Sequence, residues 1–265
     1  MPSLRIMGVV NATPDSFSDG GRSLEAAIAH ARLLIDQGAD ILDIGGESTR
    51  PGAAPVPADE EIAAISGTSD IVISIDTMKP EVARAAVAAG ADIWNDISAL
   101  TFAEDSLTTA VELGCEVILM HMRGDPRTMQ DAPTYEDVAA EVCGYLAERA
   151  QAAMAAGIPR GKIWLDPGVG FGKHMTRHNL PLMRRMDEVV ALGFPVLLGV
   201  SRKSFVAALD NGAAPADRLG GSLAAALWGV QAGVAAVRVH DVRETAQAVK
   251  VWTAIAGAAD QASAG

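Results

Sequence analysis

Ile71-Val72-Ile73-Ser74-Ile75-Asp76 is a short apolar run ending in a carboxylate. Pro80, an Ala-rich stretch and Gly90 follow, and then comes a second such run, Ile93-Trp94-Asn95-Asp96. Proline is tolerated in the first turn of a helix, where its missing N–H would have no partner, and glycine suits the position just past the end. The segment therefore reads strand, helix, strand. Runs of the same kind occupy residues 6–11, 41–46, 117–121, 163–166, 196–203 and 236–241, and each carries at or near its end a polar residue able to do chemistry: Asn11, Asp43 with Glu47, His121, Asp166, Lys203, and Arg238 with His240. Alternating strands and helices predict βα units on a parallel sheet. Eight such units in 265 residues match a single α/β domain over residues 1–265, a (β/α)8 TIM barrel of the usual size of about 250 residues. A doubly wound open sheet is the structural alternative. The even spread of polar ends over all eight runs favours closure, because only a barrel gathers eight strand ends on one rim.

Composition narrows the rest. Apolar residues make up 49% of the chain and aromatic residues 4%, so the core is expected to be aliphatic. Lys and Arg number 21 against 33 Asp and Glu, and 21 − 33 = −12. Such a surface repels nucleic acid and anionic lipid, so neither is expected as a partner. Cys115 and Cys143 have neither metal-ligand nor CxxC spacing, and read as buried thiols in a reducing compartment. The first five residues lead straight into a strand, which predicts a cytoplasmic protein without a signal peptide. Residues 223–239 come nearest to a membrane span, but Gln231 and Gly233 break them as a helix followed by a strand would.

Gly38, Gly114, Gly157, Gly193 and Gly233 punctuate helices just before the next strand. Thr134-Tyr135-Glu136-Asp137 and Asp241-Val242-Arg243-Glu244 read as capping boxes or near variants. The tail 257–265 is expected to fray. Three connections, 11–22, 45–57 and 122–133, are longer than a minimal βα loop and fall on the rim where substrates bind. The second helix is short: only 58–66 can be helical before Gly67-Thr68-Ser69-Asp70 breaks it.

Asp76, Asn95 and Asp166 end three runs, and a barrel would point all three into one pocket. Two carboxylates and a carboxamide suit a flat heterocycle with N–H donors on its edge, and Lys203 adds a donor for a ring carbonyl or nitrogen. Arg50, Lys203, Arg238 and His240, with Thr49 and Asn11 near them, form a basic group on an acidic protein. That contrast points to an anionic substrate group, for which phosphate or pyrophosphate fits the bidentate Arg geometry. Ser201 and Ser204 bracket the start of the helix after the seventh strand, where free N–H groups suit a further anion. Gly168-Val169-Gly170-Phe171-Gly172-Lys173 fits neither the Walker spacing nor the GxGxxG fingerprint. His121, a lone strand-end histidine, reads as structural before functional. His30, His174 and His178 read as surface residues, and no spacing suggests zinc.

Met7-Gly8-Val9-Val10-Asn11-Ala12-Thr13-Pro14-Asp15-Ser16-Phe17-Ser18-Asp19-Gly20-Gly21 and Asp43-Ile44-Gly45-Gly46-Glu47-Ser48-Thr49-Arg50-Pro51-Gly52 resemble the two signatures of the dihydropteroate synthase family. Ser74-Ile75-Asp76-Thr77, Asn95-Asp96, Met120-His121-Met122, the run from Asp166 to Lys173, Ser201-Arg202-Lys203-Ser204 and Arg238-Val239-His240-Asp241 follow in that family's order. The resemblance implies a TIM barrel, usually homodimeric and a target of sulfonamides, that uses Mg²⁺. It would join 6-hydroxymethyl-7,8-dihydropterin diphosphate to p-aminobenzoate with release of pyrophosphate. Carried onto this chain, it implies pterin binding by Asp76, Asn95, Asp166 and Lys203, with Arg238 stacked over the ring. Asn11 would contact the Mg²⁺–diphosphate, and Thr49, Arg50, Arg238 and His240 would hold the diphosphate. Phe17, Thr49, Pro51, Phe171, Lys203 and Ser204 would shape the p-aminobenzoate site. Catalysis would rest on Asp76, Lys203, Arg50, Arg238 and His240. The short second helix departs from the family pattern. Two other readings share the pterin grip: a pterin-dependent methyltransferase serving a corrinoid protein, and a catalytically inert pterin-binding barrel.

Overall fold

The computed structural model describes residues 4–11, 22–45, 62–63, 66, 70–124, 129 and 133–262. Eight strands carry the alternation: β1 (Arg5–Asn11), β2 (Ile41–Gly45), β3 (Val72–Asp76), β4 (Ile93–Asp96), β5 (Glu116–Met120), β6 (Ile163–Asp166), β7 (Leu197–Gly199) and β8 (Ala236–Val239). The helices are α1 (Arg22–Asp36), α2 (Pro80–Ala88), α3 (Ser106–Leu113), α4 (Val138–Ala156), α5 (Asn179–Arg184), α6 (Met186–Val190), α7 (Ser204–Leu209), α8 (Leu219–Ala232) and α9 (Val242–Ala262).

All strand pairs are parallel, in the order β6-β5-β4-β3-β2-β1-β8-β7. The two ends of that order meet. Leu165 on β6 bridges Val196 just ahead of β7, and its N–H donates to the Pro195 carbonyl at 2.9 Å. The sheet is therefore a (β/α)8 barrel and not an open doubly wound sheet. Its weakest seam lies between β6 and β7.

Strand periodicity builds the site. Met7, Ile41, Ile93, Ile118, Trp164, Leu197 and Ala236 form a buried apolar plug near the strand starts. Residues i and i+2 of a strand share a face. Asp43, Asn95, Met120, Asp166, Gly199 and Arg238 each lie two positions beyond a plug residue, so they form the next layer inside the barrel. Outward-facing Leu42, Ile44, Ile73, Ile75, Trp94 and Leu119 pack on the helices, which meet them with small residues such as Ala31, Ala83 and Ala86. An apolar floor thus carries a polar layer.

Several local expectations need correction. The cap of α4 is Asp137, whose carboxylate accepts the N–H groups of Ala139 and Ala140 at 3.1 Å. Glu141 completes it by accepting from Glu136 and Asp137, so the box starts three residues later than Thr134. The Thr134 carbonyl instead accepts from Arg123. Asp241 gives its carboxylate to Arg202, at 2.5 and 3.1 Å. The seventh strand is only Leu197–Gly199, because Ser201–Lys203 forms a turn with Arg202 at φ 57°. The tail does not fray at residue 257: α9 continues to Ala262, as its alanine content permits. Cys115 and Cys143 are half-buried. The glycine stops do form, with Gly38, Gly114, Gly157, Gly193 and Gly233 all at positive φ. Of the second crossover only Ile62–Ala63 and Ser66 are described as helical, so the expected short helix lies mostly outside the described residues.

Candidate active site

A cavity of about 460 Å³ opens above the polar layer. Asp76, Asn95, Asp166, Phe171, Lys203, Arg238 and His240 line it together. Ile97, Met120, Gly168, Ser201, Arg202 and Pro215 complete much of the wall. Ser204 is exposed at the start of α7 and does not line the cavity. Phe17, Thr49, Arg50 and Pro51 lie outside the described residues, and Asn11 is described only as the last residue of β1.

Arg238 organises the charges. Its Nε donates to Asp43 at 2.6 Å and its Nη2 to Asp76 at 3.0 Å. Burial works against the guanidinium cation, but Asp43 and Asp76 outweigh it and hold the group ionised. Burial and the Asp43 charge push the Asp76 carboxyl up to about 7, against the pull of Arg238. Burial also raises Asp166, although its Oδ1 accepts the Gly168 N–H at 2.7 Å. Lys203 is brought down to about 8 by burial and by Arg238. Its ammonium sits 4.2 Å from the centre of the Phe171 ring. Carboxylates raised by burial thus line one cavity together with two cations.

His240 is held by Ser201, whose Oγ lies 3.0 Å from Nδ1 and accepts the His240 backbone N–H at 3.2 Å. Burial and the nearby Arg202 and Arg238 lower the imidazole to about 4. It is therefore neutral at pH 7 and acts as a hydrogen-bonding group.

The loop after β6 is fixed from below. Lys173, 1% exposed, donates to the Gly168 and Phe171 carbonyls at 2.9 and 3.1 Å and to that of His121 at 3.3 Å. It also lies 2.9 Å from His121 Nδ1. His121 is thus a buried partner of Lys173, which answers the open reading of that residue in favour of structure. Gly168 has φ 63°, and a Cβ there would run into the His121 carbonyl oxygen. This explains the glycine-rich run that fitted no nucleotide motif: the loop crosses the β5 loop at backbone contact. Tyr135 adds a hydrogen bond from its hydroxyl to the Gly172 carbonyl at 2.8 Å. His178, expected at the surface, is buried, with its Nδ1 accepting the His174 N–H at 3.0 Å.

Sequence reading named Asp43 only as a polar strand-end residue, without a role in the site, and gave Lys173 none. Asp43 was legible as the residue two beyond the plug residue Ile41, which places it inside the barrel beneath Arg238. Lys173 carried no such signal, since only the folded loop brings three carbonyls around its ammonium.

A closed parallel barrel with carboxylates, a carboxamide and paired cations at its strand ends defines a (β/α)8 enzyme that grips a flat nitrogen heterocycle. Residues 7–240 match the pterin binding enzyme family model. Dihydropteroate synthase of Escherichia coli K12 is 48% identical over 255 residues, covering 93% of this chain and 89% of that protein. A structure of Xanthomonas albilineans dihydropteroate synthase with 4-aminobenzoic acid is 47% identical, with TM-score 0.85 over 95% of this chain and 93% of that one. Another from that organism, in complex with 7,8-dihydropteroate, is 43% identical with TM-score 0.84, over 95% and 93% of the two chains. The chain belongs to the dihydropteroate synthase family of pterin-binding enzymes.

Proposed function

We propose that the chain transfers the dihydropterin-methyl group of 6-hydroxymethyl-7,8-dihydropterin diphosphate to p-aminobenzoate. The products are 7,8-dihydropteroate and pyrophosphate. The observation that carries this reading is that Asp76, Asn95, Asp166 and Arg238, with Lys203, line one cavity together. In it, the carboxylates and Asn95 receive the ring N–H groups, and Lys203 donates to a ring carbonyl or nitrogen. Arg238 stacks over the ring from its tether on Asp43 and Asp76. His240 and Arg238 hold diphosphate oxygens together with Thr49 and Arg50. Phe171 and Lys203 shape the arylamine site with Phe17, Thr49, Pro51 and Ser204.

The chemistry follows from these charges. Breaking the C–O bond to diphosphate leaves a methylene cation conjugated with the pterin ring. The ionised fraction of Asp76 stabilises that cation, and Arg50, Arg238 and Lys203 stabilise the departing anion. The neutral arylamine nitrogen then forms the new C–N bond and releases its proton to solvent. It is nucleophilic at pH 7 without a general base. The substitution is SN1-like. Among the described residues no group of His, Cys, Asp and Glu forms a metal cage. Mg²⁺, which the family resemblance implies, keeps waters and phosphate oxygens and needs only one or two protein oxygens. Asn11 would hold it, and bound there it would neutralise charge on the diphosphate. Positional exchange of ¹⁸O within the diphosphate, measured without p-aminobenzoate, tests the order of bond changes. Exchange is expected, and its absence together with cleavage that scales with nucleophile strength refutes an SN1-like step. Chelation should abolish turnover and added Mg²⁺ restore it.

The assembly is a cytoplasmic homodimer of single-domain chains. An apolar hollow of about 450 Å³ beside Leu209 and Trp228, which are 62% and 48% exposed, supports self-association. No helix among the described residues is long and apolar enough to cross a membrane. Sedimentation of a monomer at micromolar concentration, or two separate unfolding transitions, refutes this reading.

A further inference from the structure

Asp43 lies at the centre of β2, is fully buried, and does not line the cavity. It touches two residues that do. Its Oδ2 accepts from Arg238 Nε at 2.6 Å, and Asn95 Nδ2 lies 3.4 Å from both of its oxygens. We infer that Asp43 is a positioning residue for the reaction: it fixes which end of Asn95 and which edge of Arg238 face the pterin, and it keeps a second negative charge beneath Asp76.

Donor inventory decides the orientation of Asn95. An ionised carboxylate can only accept hydrogen bonds. Asn95 must therefore turn its NH₂ toward Asp43, which leaves its carbonyl oxygen as the group offered to the cavity. That is the orientation required to accept a ring N–H. On Arg238, Asp43 takes Nε and Asp76 takes Nη2, so the guanidinium plane is fixed by two carboxylates on different strands. One buried group thus sets two contacts of the ring. An Asn at position 43 could still accept from Arg238. However, its own NH₂ would compete for the same space, and the Asn95 amide would no longer have a single preferred orientation.

The charge has a separate consequence. Asp76 is faced by Asp43 on β2, Asp96 on β4, Asp166 on β6 and Arg238 on β8, with Lys203 after β7 also within its field. Asp43 is the strongest of the like charges that favour the protonated acid, after burial itself. Removing it favours the Asp76 carboxylate, and so does the freed guanidinium, which then has one carboxylate partner fewer. Both effects lower the pH at which Asp76 ionises. The consequence for rate rests on the proposed need for ionised Asp76.

The test is steady-state kinetics of the full-length enzyme from pH 5.5 to 8.5, with dihydropterin diphosphate and p-aminobenzoate varied in turn. For Asp43→Asn, the KM for the pterin substrate should rise about tenfold, the cost of a misplaced hydrogen-bonding pair. The KM for p-aminobenzoate should stay within about twofold, as Asp43 makes no contact on that side. The acid limb of kcat/KM should move down by about one pH unit, the size expected for a neighbouring charge. Asp43→Glu keeps the charge but displaces the carboxylate: the pterin KM should rise while the limb stays near its wild-type position. It also serves if the Asn variant does not fold. A lower kcat with unchanged pterin KM and an unmoved limb would reduce Asp43 to a structural residue and overturn the inference, as would equal limb shifts in the Asn and Glu variants. A wild-type profile lacking any limb that Asp76→Asn abolishes would refute the role of Asp76 instead. The pterin KM of the two variants would then decide Asp43 alone.

Discussion

Replacing Lys173 by Met keeps the length of a fully buried side chain and removes its ammonium. In the folded protein burial brings that ammonium from 10.5 down to about 7, with Asp166 opposing the fall. A group with this depression is neutral in the folded chain and charged in the unfolded chain between those two pH values. The unfolded state then binds the extra proton, so stability rises with pH across that window and is lost as pH falls through 7. The whole interval, 10.5 − 7, corresponds to about 5 kcal/mol, and the part between pH 7 and pH 9 to about 2 kcal/mol. At a single pH the Met variant mixes two opposing effects. It relieves the cost of burying the amine, but it leaves the Phe171 and His121 carbonyls without its N–H donors, at about 1–3 kcal/mol each. The Gly168 carbonyl keeps its bond from the Phe171 N–H at 3.0 Å. The difference between two pH values isolates the ammonium, because Lys203 and the other groups are common to both proteins. Urea unfolding at pH 7 and pH 9 should show wild type gaining about 2 kcal/mol over whatever Lys173→Met gains. Equal gains in the two proteins would mean that Lys173 is not a desolvated strut, and the account of the β6 loop would fail.

Gly168→Ala should lower Tm by at least about 3 °C, because a left-handed φ costs about 1–2 kcal/mol before the clash with the His121 carbonyl is counted. It should also weaken pterin binding, as Asp166 loses its fixed N–H donor; calorimetry showing wild-type affinity would refute the fit of that loop. The His240 imidazole, lowered to about 4, should show no titration by NMR between pH 5.5 and 8, whereas an unperturbed imidazole titrates near 6.5. A midpoint between 6 and 7 would refute the burial of the ring beside Arg202 and Arg238.

The parts of the fold that were legible in the sequence share one physical basis. Strand starts such as Ile41, Ile93 and Ala236 and strand ends such as Asn95, Asp166 and Arg238 obey a period of two that needs no tertiary information. Helix stops were readable for a similar reason, since Gly157 and Gly233 answer to a local backbone requirement. What escaped depended on contacts between distant segments. Asp241 serves Arg202, 39 residues away, in place of its own helix. The Thr134 carbonyl is engaged by Arg123 and the cap passes to Asp137. The turn at Arg202 cut the seventh strand short where apolar content alone ran on. Lys173 and His121 pair across 52 residues, and no spacing rule connects them. Asp43 stands between these cases: its place inside the barrel was readable, but its two partners were not.

The proposed function requires that one cavity both grips the pterin and performs the condensation. It is tested most directly by incubating the protein with 6-hydroxymethyl-7,8-dihydropterin diphosphate, labelled p-aminobenzoate and Mg²⁺, and counting both products. Dihydropteroate and pyrophosphate are expected in equal amounts, with the rate depressed far more by Asp76→Ala or Asp166→Ala than by substitution of the exposed Leu209. Pterin binding of normal affinity without any labelled product would contradict it and leave an inert pterin-binding barrel.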